Sequence, residues 1–301
     1  MLTAAGATSA SLLSLTERRD AFRKLMNLSE SDVAIGHVEN RVLPGPEGPI
    51  AIRVYTPIEA RSDRLPGLVF FHGGGLVTGS LDTHEGICRS LANETGCRLV
   101  SVDYRLAPEH KFPAAVMDGC AAATWTTEHA AELGIDRDRI AIGGDSAGAT
   151  LAAIVCQMTK RAPEVKFAAQ LLLCPIMDFA AETASRSAFA EGYLLDKATM
   201  DRDLEHYVPA GLGLGPTDPR ISPLRALDFS GLPPAYIHTA ECDPLRDEGR
   251  AYADRLRLAG VEVKYTCHPG MIHLFYGMSS VIPYARIAMK HIGAEIRAAL
   301  G

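Results

Sequence analysis

The sequence is poor in the features that mark nucleic-acid-binding and membrane-spanning proteins. Its 301 residues carry 30 Lys and Arg against 36 Asp and Glu, a formal net charge of −6, with no basic cluster. Such a chain lacks the positive patch that binds nucleic acid or an anionic membrane surface. No apolar run approaches the roughly 20 residues of a transmembrane helix. The start, Met1 to Gly6, lacks the charged and apolar segments of a signal peptide. We therefore expect a cytoplasmic protein without nucleic-acid or membrane partners.

The cysteines show neither a disulfide framework nor a metal-ligand spacing. Their number is odd and they are scattered along the chain, at positions 88, 97, 120, 156, 174, 242 and 267. This usage predicts reduced, mostly buried thiols and no metal site. The chain length suits one α/β domain with a modest insertion.

A serine flanked by glycines is the strongest signal that is present. The run Gly144-Asp145-Ser146-Ala147-Gly148 follows an apolar stretch, 139–143, and precedes an alanine-rich segment, 149–154. The pattern predicts a sharp strand–turn–helix junction with Ser146 exposed at a helix N-terminus. Glycines on both sides permit the close backbone approach that this turn demands. Ser146 is therefore the candidate nucleophile.

A glycine run upstream of the serine offers donors for an oxyanion. The apolar strand Leu68-Val69-Phe70-Phe71 leads into His72-Gly73-Gly74-Gly75. Acyl transfer develops negative charge on a carbonyl oxygen, which preorganised N–H groups stabilise. We predict an oxyanion hole built from Gly73, Gly74, Gly75 and Ala147, the residue after the nucleophile. Which of the three glycines donate is left open.

The base that activates Ser146 is expected downstream, because in enzymes with such an elbow the order is serine, acid, histidine. Five histidines follow the serine: His206, His238, His268, His273 and His291. Three of them fall on predicted helices or inside a strand and are interpreted as surface or structural residues. Of the remaining two, His273 is favoured over His268, because it lies farther from the end of a strand and follows a glycine hinge at Gly270.

Asp243 is the candidate acid that orients the histidine. It follows a predicted strand, 234–240, at the edge where active-site residues of open α/β sheets collect. The alternative interpretation is a helix N-cap, since Pro244 comes next. Asp247 lies one helical turn farther on and is expected to support the helix start.

The rest of the chain divides into a catalytic domain and a cap. Strands are predicted near 38–43, 50–55, 67–72, 98–103, 139–143, 168–174, 234–240 and 261–267, with helices between most of them, which is typical of a mostly parallel sheet. Residues 36–179 and 221–301 form this domain. The insertion 180–220 is too long for a simple crossover. It is expected, with helical residues 1–35 and their capping box at Ser14–Glu17, to cover the active site.

As a set, the motifs are highly specific, and the chain resembles the hormone-sensitive-lipase-like esterases, the bacterial family IV branch of the α/β-hydrolases. The matching runs, in the family's order, are 72–75 with Gly79 and Ser80, 103–110 with 112–115, 144–148, 191–195, 243–249 and 270–273. The resemblance implies an α/β-hydrolase fold with a mostly parallel central sheet flanked by helices and a small helical cap. It also implies a carboxylesterase with the triad Ser146, Asp243 and His273, no cofactor, and His72 as a scaffold of the oxyanion loop.

The chain departs from this family in the walls of the substrate pocket. Leu76 stands where an aromatic residue often follows the three glycines, and Arg202-Asp203 stand where the cap helix usually carries Trp-Phe. A long acyl chain would lose apolar contact there, worth about 25 cal/mol per Å². We expect a preference for acyl chains of about two to six carbons, a range that the resemblance implies. The expected pocket residues are Leu76, Asp145, Tyr193, Leu194, Leu274 and Phe275.

Three functions are weighed on these residues. The favoured one is hydrolysis of a small-molecule ester through an acyl-enzyme. An amidase or formamidase would use the same triad. A non-catalytic small-molecule receptor, which the resemblance also includes, is disfavoured because the catalytic histidine is present. The natural substrate and the oligomeric state, with a homodimer among the options, are not decided by the sequence.

Overall fold

Strands and helices alternate along most of the chain. The computed structural model describes residues 10–29, 33–60, 62–162, 164–211 and 214–301. The strands are β1 (His37–Gly45), β2 (Gly48–Thr56), β3 (Leu65–Phe71), β4 (Arg98–Val102), β5 (Ile135–Asp145), β6 (Ala169–Leu173), β7 (Ala235–Cys242) and β8 (Val263–Ile272). The α-helices are α1 (Leu15–Met26), α2 (Glu85–Thr95), α3 (Ala114–Glu128), α4 (Ala147–Thr159), α5 (Ala184–Ala188), α6 (Lys197–Tyr207), α7 (Arg246–Leu258) and α8 (Tyr284–Leu300). All eight predicted strands are present.

The strands form a single mostly parallel sheet. Their order is β1-β2-β4-β3-β5-β6-β7-β8. β2 pairs antiparallel with β1 and with β4, and the remaining neighbours pair parallel. The α/β fold class predicted from the sequence is confirmed. Because β3, β5, β7 and β8 run in the same direction, their carboxyl ends meet at one edge. The glycine run, Ser146, Asp243 and His273 follow those four ends.

The core lies on both faces of the sheet. Alternate residues of a strand point to opposite faces: Val69 and Phe71 of β3 pack on one side, and Leu68 and Phe70 on the other. Helices α3, α4 and α7 cover the first face, and α2 and α8 cover the second. Burial on both faces explains why these strands are almost continuously apolar.

Helices outside the sheet domain lie over the edge that carries the site. The predicted capping box begins α1: Glu17 N–H donates to Ser14 Oγ, and Ser14 N–H donates to the Glu17 carboxylate. The two helical segments predicted in the insertion are α5 and α6. Residues 1–9 and 30–32 of the predicted N-terminal cap, Met1 to Gly6 included, and 212–213 of the insertion lie outside the described residues. Within the described ranges, no helix combines the length and apolar composition needed to cross a bilayer.

Candidate active site

Ser146 occupies the sharp turn between β5 and α4. Its backbone is in a strained left-handed region, with φ 52° and ψ −122°, a conformation that costs of order 1–3 kcal/mol. The N–H of Ser146 donates to Leu173 O at 2.7 Å, which fixes the turn against β6. A Cβ atom at Gly148 would lie 2.0 Å from the carbonyl oxygen of Phe71. Only glycine at that position lets α4 begin so close to the end of β3.

Ser146, His273 and Asp243 form one continuous hydrogen-bonded chain. Ser146 Oγ lies 3.0 Å from His273 Nε2, and His273 Nδ1 lies 2.8 Å from Asp243 Oδ2. The other carboxylate oxygen of Asp243 accepts the N–H of Leu245 at 2.9 Å. The Asp243 carboxylate therefore accepts the Nδ1 proton and leaves Nε2 free to accept the serine proton. This is the geometry that covalent catalysis requires of a nucleophile, a base and an orienting acid.

The surroundings of His273 favour the protonated form of its imidazole, so this side chain is suited to accept a proton. Burial alone lowers the pKa of this imidazole, but the charge and hydrogen bond of Asp243 outweigh it, so the pKa lies above its ordinary value of 6.5. Ser146 and His273 are each only 6% exposed, and Asp243 is fully buried. An imidazolium formed during reaction would thus be stabilised by a carboxylate shielded from water.

The two alternative residues considered from the sequence lie in other interactions. His268 is in a buried polar chain behind the site, with Nε2 3.1 Å from His238 Nδ1 and Nδ1 3.1 Å from Tyr284 Oη. Asp247 accepts the N–H of Ser185 at 2.8 Å and so anchors α5 to α7. Neither is hydrogen-bonded to a member of the Ser146 chain, which favours His273 and Asp243 in the two roles.

The oxyanion loop is held by the residue before the nucleophile. Gly73 N–H donates to Asp145 Oδ1 at 3.0 Å, so this amide is already engaged. Gly74 O accepts the N–H of Thr78 at 2.8 Å and its hydroxyl at 2.9 Å, which closes the loop. The prediction that includes Gly73 among the donors does not fit this arrangement. The N–H groups of Gly74 and Gly75, for which the described residues provide no acceptor, and of Ala147 fit it better.

His72 lies behind this loop. Its ring stacks on Tyr104 with 4.4 Å between centroids, and Tyr104 Oη donates to His72 O at 2.6 Å. Complete burial, together with the neighbouring His84, lowers the pKa of His72 to about 3. A histidine that stays neutral at neutral pH and lies under the loop is suited to support it rather than to exchange protons.

A cavity of about 200 Å³ opens above Ser146 and His273. Its walls are mainly apolar side chains from α1, α6 and the loops beside them: Phe22, Leu25, Ile176, Phe179, Leu194, Leu195, Met200, Leu204 and Leu274. Of the pocket residues predicted from the sequence, Leu194 and Leu274 line it. Asp145 lines it too, but its carboxylate is engaged with Gly73.

Three other predicted pocket residues are not in the cavity wall. Leu76 has a positive φ of 63°, is 3% exposed and packs in the hydrophobic core. Tyr193 packs edge-on against Phe189, with ring centroids 4.8 Å apart. Phe275 is fully buried between His268 and Tyr284. The prediction that Leu76 lines the pocket does not fit its place in the core.

The sequence placed α1 in the cap over the site, but it did not indicate which side chains of α1 line the cavity or that one of them forms an ion pair there. Phe22 and Leu25 line the cavity from α1, and Arg18 of α1 is paired with Asp203 of α6. The capping box located α1 in the sequence. No pattern in a single sequence indicates which of its side chains face a site so distant along the chain.

One cluster in the described part of the chain could offer three ligands to a metal ion. A sulfur atom of Cys174, a carboxylate oxygen of Asp243 and a ring nitrogen of His273 lie within 4.8 Å of one another. Two of these groups are the pair that serves Ser146. Burial raises the pKa of the Cys174 thiol well above its usual value, which opposes the thiolate that a metal would need. The cluster is thus part of the serine site.

Comparison with known proteins gives matches over most of the chain. The family described as alpha/beta hydrolase fold matches residues 68–277. The carboxylic ester hydrolase LipN of Mycobacterium tuberculosis is 44% identical over 241 residues, 78% of this chain and 63% of LipN, so the chain spans less than two thirds of that relative. Carboxylesterase NlhH of the same species is 42% identical over 83% of this chain and 79% of its own length. The ester-hydrolase EH1AB1 from the metagenome of Lake Arreo, solved with a bipyridine phosphonate derivative, is 44% identical, with a TM-score of 0.93 over 97% of this chain and 93% of that one.

Proposed function

Because this chain belongs to the α/β-hydrolase family, in its hormone-sensitive-lipase-like group of carboxylic ester hydrolases, we propose that it hydrolyses short-chain esters through an acyl-enzyme on Ser146. The observation that carries the proposal is the unbroken chain from Ser146 Oγ through His273 to Asp243, with distances of 3.0 and 2.8 Å. That chain ends in a small apolar cavity, where a neutral ester can lie.

Each step of the mechanism uses a group already in position. His273 Nε2 takes the hydroxyl proton as Ser146 Oγ attacks the ester carbonyl. The N–H groups of Gly74, Gly75 and Ala147 hold the oxyanion. His273 then protonates the departing alcohol, and water repeats the sequence on the acyl-enzyme. Asp243 keeps the imidazole in the required tautomer throughout, and no cofactor takes part.

The cavity supports a preference for short acyl chains. Its volume of about 200 Å³ is below the roughly 300–1,000 Å³ of pockets that take drug-sized ligands. Charged side chains of α6 interrupt the apolar wall, since Asp201 and Asp203 line the cavity. We expect the highest kcat/KM for acyl chains of about two to six carbons, because longer chains gain little further apolar contact.

We also propose that residues 1–35 and 180–220 act as a cap on the catalytic domain, 36–179 and 221–301. The cavity walls support this division, because Phe22 and Leu25 come from α1 while Met200 and Leu204 come from α6. A cytoplasmic location fits the seven cysteines, each of which is a free thiol.

A series of p-nitrophenyl esters from acetate to decanoate tests the function and its chain-length limit. Wild type should show a maximum kcat/KM between acetate and hexanoate, and Ser146→Ala should lose at least ~10³-fold in kcat. Ser230→Ala, at an exposed serine before β7, is the matched control and should match wild type. An active Ser146→Ala enzyme would reject the mechanism, and a maximum at octanoate or decanoate would reject the chain-length proposal.

A phosphonate ester separates the acyl-enzyme route from direct attack by water. A short p-nitrophenyl alkylphosphonate should inactivate the enzyme and add one alkylphosphonyl group, with loss of p-nitrophenolate. Peptide mass analysis should place that group on Ser146. Labelling of wild type elsewhere, or equal labelling of Ser146→Ala, would contradict the covalent mechanism.

A further inference from the structure

A buried ion pair joins the two helices that roof the cavity. Arg18 of α1 donates from Nη2 to Asp203 Oδ2 at 2.6 Å, and its Nη1 contacts Asp203 Oδ1. Both side chains are only 7% exposed, and both line the cavity above Ser146. A two-point pair of this kind holds its partners in a fixed orientation.

The carboxylate of this pair lies against the oxyanion loop. A Cβ atom placed on Gly75 would fall 2.0 Å from Asp203 Oδ2 and 2.5 Å from Asp203 Cγ. Gly75 has a φ of +66°, so the position requires glycine both for its backbone and for the space that Asp203 occupies. Asp203 is therefore packed on one of the residues whose N–H groups face the reacting carbonyl in the proposed function.

A carboxylate at this place opposes the reaction unless its charge is cancelled. The reaction builds negative charge beside Gly75, and in a site shielded from water a second negative charge nearby raises the energy of that state. Arg18 supplies the opposite charge, in contact with both oxygens of the carboxylate. The pair as a whole is neutral toward the oxyanion.

We propose that Arg18 is a positioning residue for ester hydrolysis, which holds Asp203 against Gly75 and cancels its charge, so that the oxyanion donors face no net negative charge. The proposal rests on the proposed function, because it takes the amides of this loop as the oxyanion donors. Asp203 stands where the cap helix of the family usually carries an aromatic residue. The pair between Arg18 and Asp203 therefore depends on a residue that is particular to this chain.

The ionisation of Asp203 gives the proposal a pH signature. Burial raises the pKa of Asp203 to about 6, against the lowering effects of Arg18 and Arg202. The charged or titratable groups around it are Arg18 from α1, Arg202, Asp196 and Asp201 from its own helix segment, and, across the same cavity, Asp145, Arg186 and His273. Without Arg18, the carboxyl pKa rises further. The carboxyl is then neutral at lower pH and becomes charged as the pH increases.

The two single substitutions break the same pair but leave opposite charges. Arg18→Met leaves a carboxylate beside Gly75, and kcat should fall roughly 10- to 100-fold above the pKa of Asp203. Asp203→Asn leaves a cation, which does not oppose an oxyanion, so its kcat should fall far less. Adding Asp203→Asn to Arg18→Met should restore most of the lost kcat. A pair that served folding alone would give equal losses and no rescue in kcat.

The pH profile of kcat on p-nitrophenyl butyrate provides the second readout. The kcat of Arg18→Met should decrease as the pH rises from 6 to 9. The pH profiles of wild type and of the double variant should lack this decrease. Arg19→Met is the matched control: Arg19 also anchors α1, through Val77 O, Ala107 O and Glu109, but the carboxylate that it pairs with is not the one packed on Gly75. It should show no such decrease, whatever its effect on thermal unfolding.

The outcomes distinguish this proposal from the proposed function. If Ser146→Ala, measured alongside, retains activity, the proposed function fails. If it is inactive and Arg18→Met and Asp203→Asn lose kcat equally without rescue, the role of Arg18 is overturned alone. Should Arg18→Met fail to fold, Asp203→Asn and the double variant decide: a tenfold loss of kcat in either folded variant would overturn the proposal.

Discussion

Asp145 Oδ1 lies 3.0 Å from the backbone nitrogen of Gly73 and accepts its hydrogen bond. This contact joins the end of β5 to the loop after β3, so the residue before the nucleophile fixes the loop that faces it. Asp145 is fully buried, and its second oxygen lies 3.3 Å from His84 Nε2. The carboxylate of the residue before Ser146 therefore holds the glycine loop beside it.

Removing that carboxylate should weaken oxyanion stabilisation more than substrate binding. Asp145→Ala is expected to lower kcat at least ~10-fold, because a misplaced donor loses part of the ~10²–10³-fold that one oxyanion contact supplies. Asp145→Asn, which keeps an acceptor oxygen, should retain more activity. Steady-state kinetics on p-nitrophenyl butyrate give kcat and KM for both variants. A rise in KM at unchanged kcat would contradict this role.

The two histidines near the end of β8 should respond differently to truncation. His273→Ala should abolish activity, because the base would be lost. His268→Ala should keep most of kcat but lower the free energy of unfolding by about 1–3 kcal/mol, since it leaves His238 and Tyr284 without their buried partner. Urea unfolding and ester kinetics on both variants separate the effects. Greater loss of kcat in His268→Ala would show that the wrong histidine has been assigned.

The two aspartates of the β7–α7 connection provide a second matched pair. Asp243→Asn should lower kcat by up to ~10⁴-fold, because an amide at this place favours the wrong imidazole tautomer. Asp247→Asn should cost far less, since that side chain anchors α5 rather than His273. Measuring kcat at saturating ester shows which of the two variants loses more activity. A larger loss in Asp247→Asn would mean that Asp247 orients the base.

The pH dependence of kcat/KM should show the raised pKa of His273. The imidazole must be neutral to accept the serine proton, so activity falls as the pH drops through its pKa. Asp243 holds that pKa above 6.5, and the acid limb is expected above that pH. In Asp243→Asn, burial then prevails, so the residual activity should have its acid limb at lower pH. If the acid limb of Asp243→Asn lies at the same pH as that of wild type, a group other than His273 controls it.

How much of the site the sequence predicts depends on how local each signal is. Ser146, Asp243 and His273 follow strand ends marked by glycine, proline and apolar runs, so their placement at one sheet edge follows from strand direction. Leu76 shows the limit. Its position after three glycines suggested the pocket, but its backbone has a positive φ of 63° and its side chain packs in the core. Single-sequence patterns do not report such dihedral angles.

The sequence by itself determined the α/β architecture, the elbow serine and the order of the residues that follow it, because periodicity and turn residues act over a few positions along the chain. Only the tertiary structure decided which amides of the glycine run are engaged and which side chains wall the cavity. The pair between Arg18 and Asp203 spans 185 positions. Its partners are chosen by how α1 and α6 pack over the sheet, and that packing depends on the whole core rather than on any local pattern.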